Sequence, residues 1–558
     1  MPPPPDSATS VAETPAELRA PAVRVASLRR YVTARRLGFL TVGLEMLALL
    51  AFGIRHASIL ITREDEVLAL FVGRSGFGSA LHQVLNERGG APLHFVSAWT
   101  VVQLGGHLVA LRIVSTCFVV GALPLIALLA ARLARDGRVG VVAATIAAPS
   151  WLVLFSGDFA RMYAQFLFFG TLAPLLLLRA VDRQRTRDWV YWWLACLGVM
   201  ASHPYGAFVL AAGIAALLAT GWRQRRTWVL CAIPVVAATP FWIADFVLRA
   251  RFDVGVGGGG SSLGSLHGIS RFLLTSFRDA TSWHGAAFWI AAVLAPVGAF
   301  LVARASGAAE RVLLLASFVL PIVALLGARA DSQVSPETRH LIFLLPFVDL
   351  FVAVALVRGA LLARRAAPLV AVAVLAIVVA GQIHSARQRT PDLFGAESGY
   401  RHDARLVAAQ WLGLHATRNV LLMGYEPVFY EAWRGDDAFS SFVVARADSA
   451  VAAKQLERYC GHFTQAVFVF DRENGYKADL TEARFRRLGT RLSNAGYSVK
   501  RIDDFMLVLS AVPSGRPRAF VRAATPLLRI ARDASIQNGK VELRTLLGAA
   551  PLLRSTCS

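Results

Sequence analysis

Residues 37–66 read LGFLTVGLEMLALLAFGIRHASILITREDE. The apolar part, Leu37 to Ile61, is long enough to cross a membrane as one helix. The acidic pair Asp65-Glu66 follows it, near the point where such a helix would reach the membrane surface. Charged side chains are costly at this boundary unless they are used. The stretch therefore predicts a membrane anchor with a candidate catalytic base just after its C-terminal end.

The rest of the chain is similarly apolar. Of its 558 residues, 56% are hydrophobic and 17% are charged, and the mean hydropathy is +0.52. A soluble core of this size needs less apolar surface. The net charge of +22 would also suit a nucleic-acid-binding protein, but much of the arginine lies in short clusters between apolar runs and no nucleic-acid motif accompanies it. We therefore predict a polytopic α-helical membrane protein without a nucleic-acid partner.

Eleven apolar stretches qualify as membrane spans. They are Leu37 to Leu60, Leu108 to Ala131, Val139 to Phe155, Met162 to Val181, Trp189 to Ser202, Tyr205 to Gly221, Trp228 to Leu248, Gly285 to Ala303, Val312 to Leu326, Leu341 to Leu356 and Pro368 to Ile383. Before them, residues 1–36 begin with Met-Pro-Pro-Pro-Pro and are interpreted as a disordered cytoplasmic tail.

Arginine placement predicts the orientation, because short cytoplasmic loops are enriched in lysine and arginine. With a cytoplasmic N-terminus, nearly all arginine clusters fall on one side, Arg249 and Arg251 excepted. This requires Ala91 to Leu104 to lie along the outer surface as an interfacial helix. Five polar segments then share the outer face: Asp65-Glu66, Glu87 to His94, Gly157 to Arg161, His203 to Tyr205, and Asp331 to His340.

After the last span the composition changes. From Tyr400 onward, helix-like segments (Asp403 to His415 and Ser449 to Cys460) alternate with short apolar strands (Val420 to Met423, Ala466 to Phe470 and Met506 to Leu509). We predict a transmembrane domain over residues 37–384, an extracytoplasmic α/β domain over 385–512, and a basic C-terminal tail over 513–558. Acceptor binding and simple bracing both remain open as roles for the α/β domain.

At the outer segments the chain resembles the GT-C superfamily of membrane glycosyltransferases. The resemblance is to family 39 and the protein O-mannosyltransferases, with the aminoarabinose transferases as relatives. It lies in the order of short elements over roughly the first 360 residues. These are Asp65-Glu66, Ala91-Pro92-Leu93-His94-Phe95, Ala110 to Ser115, Phe159 to Ala164, Ser202-His203-Pro204-Tyr205, and Arg339-His340-Leu341 with Pro346.

The resemblance implies the GT-C fold and transfer of a sugar from a polyprenyl-phosphate donor to an acceptor hydroxyl on the outer face, with inversion. The acceptor would be a protein, a glycan or a lipid, and the enzyme would reside in the inner or plasma membrane. Asp65 corresponds to the base, and Glu66 would orient Asp65 or the acceptor. The leaving phosphate gains negative charge in the transition state, so we expect Arg161, Arg339 and His203 to contact it.

Six further residues are secondary candidates for the substrate site: Asp158, Glu87, His94, Arg112, Tyr163 and His340. Asp158 lies one residue earlier than the acid common in the family. Glu87 and His94 are the residues near which some relatives hold a divalent metal, but two residues are a weak ligand set and we assign neither metal nor cofactor.

Several structural interpretations compete with these roles. The acidic pair would also serve as a solvated helix cap, Arg161 as a snorkelling residue, and His203 as a hydrogen-bonding group at a helix break. Arg112 would also suit a buried ion pair inside span two. For the whole protein, the alternatives are a transporter or flippase of a lipid-linked or anionic solute and a sensor. However, the sequence shows no clear repeat symmetry and no cytoplasmic output domain.

Overall fold

The computed structural model describes residues 20–60, 62–74, 76–87, 91–252, 265–328, 337–362, 367–394, 399–416, 419–424, 426–435, 441–444, 465–472, 481–494 and 497–511. The membrane part contains helices α1 (Ala20–Ala57), α2 (Glu64–Gly73), α3 (Phe77–Glu87), α4 (Pro92–Gln103), α5 (Leu108–Ala134), α6 (Gly137–Ala147), α7 (Trp151–Asp158), α8 (Tyr163–Arg183), α9 (Thr186–Ser202), α10 (Gly206–Gly221), α11 (Arg225–Phe252), α12 (Leu266–Ala280), α13 (Gly285–Ala305), α14 (Ala308–Ala328), α15 (Leu345–Leu362) and α16 (Ala367–Arg389). Short 3-10 helices occupy Thr338–Leu344 and Pro391–Phe394.

All eleven predicted spans are helical in the described residues. Eight helices are long and apolar enough to cross a membrane, and α6 with α7 forms a ninth, bent by 62°. The remaining two, α9 and α10, have 17 and 16 residues, which is short for a straight crossing. The protein is therefore an integral, multi-pass membrane protein.

The bend between α6 and α7 follows from local sequence. Pro149 lacks a backbone N–H and interferes with the preceding turn, so it interrupts a helix that hydropathy alone would continue. Ser150 then starts α7, because its side chain accepts a hydrogen bond from the backbone N–H of Val153. All eight residues of α7 are buried. The bend directs the end of α7, at Asp158, toward α2 and α5.

The predicted N-terminal tail over residues 1–36 lies partly outside the described residues. Residues 1–19 lie outside the described part, but α1 begins at Ala20, so residues 20–36 precede span one as helix. Their alanine, arginine, leucine and valine content contains no helix breaker after Pro21, which is tolerated in a first helical turn. The basic tail predicted over 513–558 lies outside the described residues.

The C-terminal part is a small α/β domain, as predicted. Its helices are α17 (Gly399–His415), α18 (Glu426–Gly435) and α19 (Glu482–Asn494); its strands are β1 (Asn419–Gly424), β2 (Ser441–Val444), β3 (Gln465–Asp471), β4 (Ser498–Ile502) and β5 (Phe505–Ala511). The sheet order is β2-β1-β3-β5-β4, with β1 parallel to β2 and β3 and with β5 antiparallel to β3 and β4. The predicted helix Ser449 to Cys460 lies outside the described residues.

Candidate functional site

Two of the predicted site residues are described only by their backbones. Asp65 is the second residue of α2, and Glu87 is the last residue of α3. Their side chains lie outside the described part of the structure. The position of Asp65 is nevertheless informative, because the N-terminus of a helix stabilises negative charge.

Glu66, one residue further along α2, is completely enclosed. Its Oε1 accepts hydrogen bonds from Arg112 Nε and from the backbone N–H of Ala160, both at 2.9 Å. Its Oε2 accepts from Arg112 Nη2 at 2.7 Å and from the backbone N–H of Arg63 at 3.1 Å. Four donors from three separate segments therefore converge on this carboxylate. Glu66 ties the start of α2 to α5 and to the end of α7.

Arg112 completes this connection. Its Nη1 donates to the carbonyl oxygens of Ala57 and Leu60, each at 2.9 Å, which closes the turn between α1 and α2. Both charged groups are buried, at 2% exposure for Arg112 and 1% for Glu66. A buried ion pair is tolerated when additional hydrogen bonds satisfy the remaining donors and acceptors. The structure thus supplies the carboxylate partner that Arg112 requires inside span two.

Asp158 lies beside this pair without joining it. It interacts electrostatically with Arg112 and Glu66, yet neither of its carboxylate oxygens has a hydrogen-bond partner among the described residues. It is only 1% exposed. A buried polar group without a partner is unfavourable in a structure that has no other use for it. The unsatisfied carboxyl group makes Asp158 a candidate for contact with a substrate.

The second half of the site consists of guanidinium groups against aromatic rings. Arg339 lies 4.8 Å from the ring centroid of Tyr163 and 5.3 Å from that of Phe159. Arg63 lies 5.8 Å from the same Phe159 ring, and both arginines are also within 6 Å of Phe155. Arg339 also donates to the Glu337 carboxylate. Such contacts orient a guanidinium group over the face of an aromatic ring.

Two imidazoles adjoin this cluster and both are neutral. The Nδ1 atom of His203 accepts a hydrogen bond from the Tyr205 backbone N–H at 3.1 Å, and Nδ1 of His340 accepts from the Glu337 N–H at 3.2 Å. A ring nitrogen that accepts carries no proton, so each ring has its proton on Nε2. Burial lowers the pKa of His203 well below its usual range, and His340, Arg161 and Arg339 lower it further. In this state His203 has an Nε2–H group that can donate a hydrogen bond to a phosphate.

Stacking places the neighbouring predicted residues in the same cluster. The ring centroids of His203 and His340 are 4.9 Å apart, and those of Tyr163 and His340 are 5.9 Å apart. Arg161 follows α7, is half-buried, and interacts electrostatically with both histidines. The structure therefore brings Arg161, Arg339, His203, His340 and Tyr163 together from three separate regions of the sequence.

A buried aspartate, Asp279, binds the 3-10 helix that carries Arg339. The Thr338 hydroxyl donates to Asp279 Oδ2, which also accepts from Arg389 Nη2 at 3.1 Å. Asp279 Oδ1 accepts from Trp283 Nε1 at 2.6 Å. Residues from α12, α16 and the 3-10 helix thus meet at one carboxylate. This connection restrains Arg339 beside the rings of α7.

His94 is buried in α4, at 2% exposure, with its ring edge-on to Phe95. The Glu87 side chain lies outside the described part, so the structure gives no distance between the side chains of Glu87 and His94. Across the described ranges, no three His, Cys, Asp or Glu side chains are arranged to hold a metal ion.

Sequence reasoning missed three residues of this site: Arg63, Phe155 and Phe159. Arg63 precedes Asp65 by two positions; Phe155 lies in α7, and Phe159 directly follows that helix. The two phenylalanine rings are tilted by 36° to each other, with centroids 4.8 Å apart. The i, i+4 spacing was visible in the sequence, but in an apolar stretch it is indistinguishable from core packing.

The comparisons with known proteins agree with this geometry at the level of the fold. No protein-family model matches the sequence, and no curated protein matches it significantly. Among solved structures, it is similar to ArnT from Cupriavidus metallidurans bound to undecaprenyl phosphate, with a TM-score of 0.53 at 13% identity over 84% of this chain and 97% of that chain.

Two further solved structures are similar at lower scores. The Archaeoglobus fulgidus oligosaccharyltransferase in its apo form has a TM-score of 0.48 at 12% identity, over 78% of this chain and 70% of that chain. The mycobacterial arabinofuranosyltransferase AftD has a TM-score of 0.44 at 16% identity, over 76% and 36%. The chain therefore has a fold similar to that of ArnT.

Proposed function

We propose that the protein transfers a sugar from a polyprenyl-phosphate donor to an acceptor hydroxyl on the extracytoplasmic face of the membrane. The main observation behind this proposal is that the guanidinium groups of Arg63 and Arg339 lie over the same aromatic ring, that of Phe159. Arg63 also directly precedes α2, the helix that carries Asp65. Oriented cations suit a lipid phosphate, and a helix N-terminus suits a catalytic carboxylate. The relative ArnT was solved with undecaprenyl phosphate, which is a ligand of this class.

The chemistry requires one base. Asp65 accepts the proton of the acceptor hydroxyl while its oxygen attacks the anomeric carbon from the face opposite the phosphate. The bond between the anomeric carbon and the phosphate oxygen breaks, and the electron pair leaves with the lipid phosphate. This single displacement inverts the anomeric configuration. Because the leaving group is a stable anion, it needs no general acid.

The basic and aromatic cluster has the matching task. Charge develops on the phosphate oxygens as the bond breaks, and donors that are already oriented stabilise it without reorganising. Arg63, Arg161 and Arg339 supply positive charge, and the Nε2–H groups of His203 and His340 add neutral donors. Asp158, buried and without a partner among the described side chains, would accept a hydrogen bond from a hydroxyl of the sugar or the acceptor.

The test is release of undecaprenyl phosphate by the full-length protein in lipid nanodiscs. A panel of undecaprenyl-phosphate sugars is supplied with an extract of cell-envelope acceptors. Asp65→Asn should reduce release by about 10²- to 10⁴-fold, the usual contribution of a general base. Glu64→Gln, which removes a charge from the adjacent position, is the matched control and should retain turnover. A well-folded Asp65→Asn protein with wild-type turnover would refute the mechanism.

A further inference from the structure

The C-terminal α/β domain contacts the turn between α1 and α2, which leads to the proposed base Asp65. Thr62 lies three positions before Asp65, between α1 and α2, and is 4% exposed. Its hydroxyl donates to Glu431 Oε1 of α18 at 2.7 Å. Its carbonyl oxygen accepts from Arg405 Nη1 of α17 at 2.8 Å. The hydroxyl and the carbonyl oxygen of Thr62 are therefore both bound by the C-terminal domain.

These contacts are buried and charged. Arg405 is 1% exposed and Glu431 is 7% exposed, and their charged atoms approach to 3.8 Å. Burying such groups is costly unless they are paired and hydrogen-bonded. A domain that served only as an acceptor platform would not need an ion pair enclosed against the membrane part. The pair is instead directed at the turn that precedes Asp65.

The turn is consequently held from two sides. Arg112 of α5 binds the carbonyl oxygens of Ala57 and Leu60, and Arg405 of α17 binds that of Thr62. In addition, the Tyr430 hydroxyl accepts from the backbone N–H of Leu108 at 2.8 Å, at the start of α5. Two guanidinium groups from distant parts of the chain therefore fix the backbone that leads into α2.

Apolar packing strengthens the same contact. Tyr430 is fully buried among residues of α2, α3 and α4, and Phe71 of α2 packs against the core of the C-terminal domain. The ring centroids of Trp433 and Phe71 are 5.9 Å apart, and the Arg74 guanidinium carbon lies 5.2 Å from the Trp433 ring centroid. Each side thus contributes a ring to the other's core, which keeps α18 seated on α2.

We infer that Thr62, Arg405 and Glu431 are positioning residues that set the location of Asp65, so that the C-terminal domain completes the catalytic site. The inference rests on the proposed function. Small displacements of a reacting group reduce catalysis strongly, by about 10²-fold for 1 Å. Loosening the turn should therefore lower kcat while leaving the donor-phosphate contacts, and with them the KM for the donor, nearly unchanged.

The experiment uses Thr62→Val, which removes the hydroxyl at almost constant shape, and Thr62→Ser, which keeps it. In the full chain, Thr62→Val should accelerate amide hydrogen exchange of peptides covering residues 62–73 and lower kcat by about 10- to 100-fold. The KM for the donor and the affinity for undecaprenyl phosphate should change less than twofold. Thr62→Ser should restore wild-type exchange and kcat. Arg405→Met should resemble Thr62→Val, whereas Arg486→Met, at an exposed site of the same domain, should not.

The outcomes separate the two proposals. Wild-type exchange and kcat in both Thr62→Val and Arg405→Met would overturn the inference, and the proposed function would stand if Asp65→Asn were inactive. An equal loss of donor affinity and kcat would also overturn it, because that pattern indicates general damage to the site. Turnover retained by Asp65→Asn would remove the proposed function, and the inference with it.

Discussion

At Glu66, four hydrogen bonds converge on one buried carboxylate, and two of them come from the single charged partner Arg112. Removing one member of such a pair leaves the other charge buried without compensation. Glu66 therefore stabilises the turn, and its charge is committed to Arg112. In the proposed mechanism, Asp65 is the residue that accepts the proton.

We expect Glu66→Gln to lower the free energy of unfolding by about 3–5 kcal/mol, because the Arg112 charge would remain buried. Thermal unfolding of the purified protein in detergent measures this change. Glu482→Gln, in an exposed ion pair with Arg501, is the control and should have little effect. A double variant, Glu66→Gln with Arg112→Met, should be less destabilised than the sum of its parts; strict additivity would contradict the coupling.

His203 makes stability depend on pH in a defined direction. Its folded-state pKa is lowered by burial and by His340, Arg161 and Arg339. The unfolded chain therefore takes up a proton first, near the ordinary histidine pKa of about 6.5. The stability contribution of His203 is fully present above that pH and is lost as the pH falls toward the folded value.

We expect the thermal midpoint of the wild-type protein to fall as the pH is lowered from about 6.5. The fall should be shallower in His203→Gln. His267→Gln, at an exposed position of α12, should keep the wild-type slope. Identical pH profiles for His203→Gln and the wild type would show that this imidazole is protonated in the folded protein.

Sequence patterns identified the charged residues of the site but not their partners. Asp65, Arg161, Arg339 and His203 stood out because polar groups at span ends are expensive. Arg63 was not identified, because its placement depends on Phe155 of α7 and on Phe159, which directly follows α7. The neutral state of His203 also could not be predicted, since it follows from a backbone N–H that only the folded turn directs at Nδ1.

Helices were the most predictable elements, and their breaks were the least. All eleven apolar stretches are helical, the third as the bent pair α6 and α7, because in lipid the backbone must satisfy its own hydrogen bonds. Hydropathy averages over some 19 residues, so it did not detect the bend after Ala147. Three of the five described strands, β1, β3 and β5, were predicted from apolar runs of four or five residues, whereas β2 and β4 were not. The mixed strand order was not predictable from those runs.

Close helix packing gives the element-scale prediction. A Cβ atom at Gly298 of α13 would lie 1.8 Å from the carbonyl oxygen of Phe351 in α15, so the two helices can approach only with glycine here. Gly298→Ala should destabilise the protein by at least about 1–3 kcal/mol, the usual cost of overpacking, as measured by thermal unfolding. Gly43→Ala in α1, where no atom lies within 4 Å, is the matched control and should be neutral or slightly stabilising. Equal behaviour of the two variants would contradict this packing.

On the scale of the whole molecule, the membrane helices and the α/β domain meet where the proposed chemistry takes place. The sequence predicted both parts from the change in composition near Tyr400. It left acceptor binding and bracing equally open, because buried contacts between residues separated by more than 300 positions leave no local pattern. The Thr62 and Leu108 contacts favour a role for the domain in shaping the site.

Those contacts also impose an order on biogenesis. Thr62 is made early in synthesis, but its partners Arg405 and Glu431 are not made until almost the entire membrane part has been translated. During elongation the turn before Asp65 has its carbonyl at Thr62 open to water. The last bonds of that turn close only after the α/β domain has folded onto it. On the proposed function, a nascent or truncated chain that lacks the α/β domain would have an incomplete active site. Such a chain would not transfer sugar, even after its membrane spans had been inserted.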